Sequence, residues 1–119
     1  MKEKLITFET AKLAKEKGFD WFYYALYYTN DGKEWVGFSS NVADYDDKYV
    51  RCSQSLLQSW LRDEHNINIY CRIMSSEWGC YLEDVPSGVD ITPRIVMLDE
   101  FKQYEDAMEF GLQEALKLI

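Results

Sequence analysis

Tyr104, Ala107, Met108, Gly111, Leu112, Ala115, Leu116 and Ile119 fall on one i, i+3, i+4 stripe, so residues 104–119 read as an amphipathic helix. Such a helix is stable only when its apolar face is buried, so the rest of the chain must supply a partner surface. Gly111 costs about 1 kcal/mol relative to Ala inside a helix, and its place on the stripe predicts close approach by a neighbouring element. The supply of apolar residues is sufficient: 119 residues, 47% hydrophobic and 16% aromatic, are enough for one core, and residues 1–119 read as a single domain.

Two further helices are bounded by local signals. Thr7 caps a helix over Phe8 to Lys17, Gly18 takes the left-handed position after it, and Phe19 follows for the hydrophobic contact. Its buried stripe is Phe8, Ala11 and Ala14, with Leu13 at the margin. Ser53 caps the other helix, which runs to about His65 and stops at Asn66, with Leu56, Leu57, Trp60 and Leu61 on one face.

Between them, Trp21 to Thr29 reads as a strand, Asn30-Asp31-Gly32-Lys33 as a turn, and Glu34 to Ser39 as the returning strand. Ser40 to Arg51 is polar, shows neither period and reads as a loop. Ile67, Ile69, Cys71 and Ile73 then alternate with polar or longer residues as a half-buried strand. A turn is expected over Ser75 to Gly79 and a strand over Cys80 to Val85. Pro86, Gly88 and Pro93 mark an irregular stretch, followed by a short strand at Arg94 to Leu98. The resulting expectation is an α+β fold: an antiparallel sheet of about four strands with three helices, in the order α-β-β-α-β-β-α.

Charge narrows the function classes. A net charge of -8 disfavours direct binding to a phosphate backbone and permits a basic protein partner. The longest apolar stretch, Trp21 to Tyr28, is far shorter than the roughly 20 residues of a membrane-spanning helix, so no membrane association is expected. Met1 to Thr7 lacks the apolar core of a signal peptide, and Cys52, Cys71 and Cys80 cannot all pair within the chain; both point to a cytoplasmic location and free thiols.

Three blocks carry a resemblance: Leu5 to Phe19 (LITFETAKLAKEKGF), Ser53 to Arg62 (SQSLLQSWLR) and Tyr104 to Ile119, which opens Tyr-Glu-Asp-Ala. Together they resemble small proteins of unassigned function carried by phages and prophage-like elements of Bacteroides-type bacteria. The resemblance implies carriage on a mobile element. It transfers no catalytic residue.

The residues that bear chemistry do not assemble into a signature. His65 with Cys52, Cys71 and Cys80 has the donor types for zinc but no C-x2-C or C-x4-C spacing, and the cysteines read as small core residues. A cysteine paired with His65 as nucleophile and base would need a third residue to orient the imidazole; Asp63 or Glu64 could supply the carboxylate, but neighbouring residues on a helix rarely point at one another. Counting from Asp44, the glycine and glutamate positions of an EF-hand loop hold Tyr49 and Ser55. Glu83, Asp84 and Asp90 are carboxylates without a substrate-shaped reason to select them. No phosphate-cradling glycine pattern occurs and no cofactor is expected.

What stands out is Trp21 to Tyr28, because both faces of that strand, Trp21/Tyr23/Tyr27 and Phe22/Tyr24/Leu26/Tyr28, are aromatic. A sheet covered on one side needs one such face; the second suggests a contact surface. The expected surface is Tyr23, Tyr27 and Trp35 with the acidic residues Asp44, Asp46 and Asp47, and its expected occupant is a protein partner or a second copy of the chain. A nucleic-acid role, as a weak single-strand binder or an acidic DNA mimic, is the alternative, with only Lys33, Lys48 and Arg51 near in sequence. A small enzyme is the third reading.

Overall fold

Local cap chemistry decides where the first two helices begin and end. The computed structural model describes residues 4–19, 26–36, 48–74, 76–84, 89–90 and 101–119. Helix α1 (Phe8–Glu16) starts at Thr7, whose backbone is extended and whose side chain accepts the Thr10 N–H. It closes at Gly18 (φ +90°): the Gly18 N–H donates to the Lys15 carbonyl (3.1 Å) and the Phe19 N–H to the Ala14 carbonyl (3.0 Å). This double bond pattern needs the left-handed residue that glycine supplies, and it delivers Phe19 edge-on against Trp60 at 5.1 Å.

Helix α2 (Gln54–His65) starts at Ser53, which accepts the Leu56 N–H, and ends at Asn66 in the left-handed conformation (φ 59°). Helix α3 (Tyr104–Lys117) buries Ala107, Met108, Gly111, Leu112, Ala115 and Leu116. Tyr104, in its first turn, lies on the predicted stripe yet stays 40% exposed.

The strands are β1 (Leu26–Tyr28), β2 (Glu34–Val36), β3 (Tyr49–Val50), β4 (Ile67–Met74), β5 (Glu77–Asp84) and β6 (Val89–Asp90). The fold is α+β with antiparallel pairing, and the longer elements follow the predicted order. The strands divide between two three-stranded sheets, β2-β1-β3 and β4-β5-β6.

Three local expectations change. Tyr49 and Val50, inside the expected loop, pair with Tyr28 and Tyr27 as β3, because a two-residue strand is too short to show a period. The expected turn at Ser75 to Gly79 is shorter, since β5 already begins at Glu77 and sets Trp78 opposite Ile73 and Gly79 opposite Arg72. Val89 and Asp90, within the expected irregular stretch, pair with Asp84 and Glu83 as β6. The expected strand at 94–98 and the outer halves of both hairpin strands lie outside the described residues.

The β4–β5 ribbon forms one wall of the core. Ile67 and Ile69 on β4, with Cys80 and Leu82 on β5, are all nearly or fully buried, whereas Ile73 near the hairpin tip is 56% exposed. Helix α3 lies directly on this wall at Gly111, where an added Cβ would collide with Cys80 Sγ and come 3.0 Å from Ile69 Cγ2. The close approach anticipated at this glycine is real. One hydrophobic cluster runs from Ile6, Ala11 and Ala14 through Leu57 and Leu61 to Leu82 and Leu112.

Candidate functional site

The sheet β2-β1-β3 is where aromatic and basic side chains meet. Its turn is closed by the Thr29 N–H to the Lys33 carbonyl (2.8 Å) and the Gly32 N–H to the Thr29 carbonyl (2.9 Å), with Gly32 at φ +84°. A side chain at position 32 would also press on Phe8, whose Cδ2 lies 3.0 Å from the place of a Cβ. The register then sets Tyr27 opposite Trp35 and Val50, and Tyr28 opposite Glu34 and Tyr49. Residues directly opposite share a face, so the two aromatic faces of β1 acquire different surroundings.

The Tyr28 face is covered by α1. Phe8 packs on Tyr28 and Tyr49 at 5.7 and 5.6 Å, and the Tyr28 hydroxyl donates to the Ile6 carbonyl (2.6 Å). Burial raises the Tyr28 pKa above the usual phenol value, with the nearby Arg51 charge opposing it. On the other face Tyr27 is itself buried, 6% exposed, with the half-buried Trp35 tilted against it at 5.7 Å. Strand β2 thus reads exposed, half-buried, exposed, and Val36 keeps 48% of its surface in solvent.

Of the surface expected from sequence, Trp35 is the described member with substantial access, Tyr27 belongs to the interior, and Tyr23, Asp44, Asp46 and Asp47 lie outside the described residues. Basic side chains from α1 and from this sheet lie over the aromatic rings. Lys12 lies over Phe8 at 5.0 Å, Lys15 over Tyr49 at 4.9 Å, Lys48 over Trp35 at 5.0 Å and the Arg51 guanidinium over Tyr28 at 5.7 Å. Each distance is within cation–π range. Arg51 is largely enclosed: its side chain is 13% exposed, Nη1 bonds Glu34 Oε1 at 3.1 Å, and Nε is buried without a hydrogen-bond partner. The signal available in sequence was that eight of the thirteen Lys and Arg residues fall before Cys52, although the chain as a whole is acidic.

A second polar cluster is built on Glu109 of α3. Its Oε2 accepts the Thr7 N–H (2.9 Å), the Thr7 hydroxyl (3.0 Å) and the Thr10 hydroxyl, and its Oε1 accepts Gln54 Nε2 (2.8 Å). Gln54 Nε2 also donates to the Glu105 carbonyl (2.9 Å), and Gln113 Nε2 donates to Thr10 Oγ1 (3.0 Å). A carboxylate with four donors is held rather than poised, so this arrangement fastens α1, α2 and α3 together.

Among the described residues, the remaining chemistry-bearing side chains do not gather into one site. His65 stands edge-on to Trp60 at 4.6 Å, Glu83 accepts Asn68 Nδ2 (3.0 Å), and none of the three cysteines is in a disulfide. Among the described residues no three His, Cys, Asp or Glu side chains form a group able to hold a metal ion, and no helix is long and apolar enough to cross a membrane. No family model, curated protein or solved structure matches the chain.

Proposed function

We propose that this chain is a non-enzymatic accessory protein of a mobile element and acts by binding another protein through the β1–β2 hairpin and the acidic segment that follows it. The observation that carries the reading is strand β2, an edge of its sheet among the described residues: on one face Trp35 is half-buried on Tyr27 and under Lys48, and on the other Val36 is 48% exposed, so a partner that covers this edge meets both. A large ring held by its neighbours loses little freedom on binding, and an apolar neighbour in solvent gains by being covered. The resemblance of the three helical blocks to phage-borne proteins supplies the setting.

The burial of Tyr27 shapes the experiment, because Tyr27→Ala would remove a packed ring and unsettle the fold. Trp35→Ala takes a half-buried ring off Tyr27 and Val36→Lys changes an exposed side chain, and neither residue belongs to the hydrophobic cluster around Leu57, Leu82 and Leu112. Sedimentation velocity over a concentration range tests self-association, and affinity capture from the host tests other partners. The reading expects both substitutions to abolish the same association while the circular dichroism melt is kept. Unchanged association in both variants would remove the hairpin from the function.

A nucleic-acid role has one observation in its favour, the four cations laid over Phe8, Tyr49, Trp35 and Tyr28. Single-strand binding to this sheet would appear as oligonucleotide affinity that falls steeply with salt and is weakened by Lys48→Ala. The net charge of -8 favours the protein partner.

A further inference from the structure

The β4–β5 register places Cys71 directly opposite Cys80. Side chains directly opposite on an antiparallel pair stand on the same face. The kind of pair follows from the other edge of β5. The Trp78 N–H donates to the Phe101 carbonyl (2.7 Å) and the Phe101 N–H to the Trp78 carbonyl (3.3 Å), so both backbone groups of Trp78 point away from β4. Cys80, two residues on, has the same orientation, which makes Cys71–Cys80 a non-hydrogen-bonded pair. Such pairs hold their Cα atoms about 4.5 Å apart, inside the range of about 4.4–6.8 Å that a disulfide spans. The two thiols are free and hydrogen-bonded to each other.

Their environments differ. Cys80 is fully buried, with Sγ in the notch left by the missing side chain of Gly111. Cys71 is half-buried, next to Ile73, which is 56% exposed, and to a rim formed by Trp78 and Tyr104, whose rings meet edge-on at 5.4 Å. The hydrogen bond from Cys80 lowers the Cys71 pKa, while that same bond and burial push the Cys80 thiol up. Cys71 is therefore the more acidic and the reachable sulfur, and Cys80 the less acidic, enclosed one.

We infer that Cys71 and Cys80 form a redox-active dithiol whose substrate is a low-molecular-weight disulfide, with Cys71 as the attacking sulfur and Cys80 as the resolving one. The Cys71 thiolate attacks one sulfur of the small disulfide, forming a mixed disulfide and expelling one small thiolate, which takes a proton from solvent. Cys80 then attacks the Cys71 sulfur, forms the cross-strand disulfide and passes its own proton to the second departing thiolate. The protein dithiol is oxidised by two electrons, and one small disulfide is reduced to two thiols. This site lies in the β4-β5-β6 sheet and not in the one that carries the β1–β2 hairpin, and it stands or falls independently of protein binding there.

The test is to equilibrate the full-length chain in buffers of graded glutathione to glutathione disulfide ratio, quench with acid, alkylate free thiols and map the peptides. The expected result is a Cys71–Cys80 linkage whose fraction follows the buffer ratio and not the protein concentration. Cys80→Ala should instead accumulate glutathione on Cys71. In the reduced native protein, alkylation of Cys71 should be at least about ten-fold faster than that of Cys80. Two thiols that persist at the most oxidising ratio in a chain with native circular dichroism would overturn the inference. So would linkage of Cys71 only to Cys52 or to a second chain. Because the wild-type titration decides between these outcomes, a Cys80 variant that fails to fold does not rescue the idea.

Discussion

A methyl group at position 111 would have to displace the sulfur of Cys80. Two opposing effects act at this residue. Replacing glycine by alanine inside a helix gains about 1 kcal/mol of intrinsic propensity, but overfilling a packed site costs about 1–3 kcal/mol. The Cβ would meet Cys80 Sγ, which is fully buried, and Ile69 Cγ2 at 3.0 Å, also fully buried, so neither neighbour can retreat into solvent. Packing wins. Gly111→Ala should lower the urea midpoint, with a net loss of about 1–2 kcal/mol. In a Cys80→Ala background much of that loss should vanish. An equal loss in both backgrounds would show that the sulfur contact is not the cause. This interaction was legible in outline, because a glycine on an otherwise apolar stripe asks for a near neighbour. Its partner was not, since Cys80 reaches α3 only through strand pairing.

At the scale of elements, α2 tests how far cap chemistry governs the fold. Ser53 accepts the Leu56 N–H at 3.1 Å, and Asn66 holds φ 59°, a conformation in which a Cβ is strained. Ser53→Ala should cost about 1 kcal/mol, as loss of an N-cap generally does. Asn66→Ala should cost about 1–2 kcal/mol through the left-handed backbone, whereas Asn66→Gly should leave stability unchanged or slightly higher. Thermal melts of the three variants check the order, and an Asn66→Gly variant less stable than Asn66→Ala would contradict it. Helix limits were readable because a cap is settled by residues within a turn of it. Strand limits were not: Tyr49–Val50 and Val89–Asp90 become strands only because β1 and β5 present open edges to them. Gly79, which reads as a turn residue, lies in strand because Trp78 is bridged to Phe101 on one side and paired with Ile73 on the other. The candidate surface divided in the same way. Alternation put Tyr27 and Trp35 on one face, but only the packing of the whole chain could bury one and leave the other half-exposed.

At the scale of the whole molecule, the described residues are tied together through helices rather than by continuous pairing between the two described sheets. The described strands form two separate sheets, and the polar link between α1, α2 and α3 is Glu109, which bonds Thr7 and Thr10 across about a hundred residues of sequence and Gln54 across 55. Thr10 and Gln54 are 0% and 5% exposed, and their burial is tolerable because this carboxylate, together with the Glu105 carbonyl and the Gln113 amide, satisfies them. Glu109→Gln preserves shape but replaces one acceptor oxygen with a donor. Turned one way, the new amide faces the Gln54 amide; turned the other, it faces Thr7 N–H and two hydroxyls. Either orientation leaves donors opposed in a partly buried site. The expected cost is about 1.5–3 kcal/mol, the usual range for hydrogen bonds to a charged group. Because Gln54 and Glu109 belong to one network, Gln54→Ala should cost less in the Glu109→Gln background than in the wild type. Urea unfolding followed by tryptophan fluorescence and by far-ultraviolet circular dichroism measures both, and the two signals should move together in every variant. Strictly additive losses would mean that Glu109 binds each helix separately, and the three-way fastening would not exist.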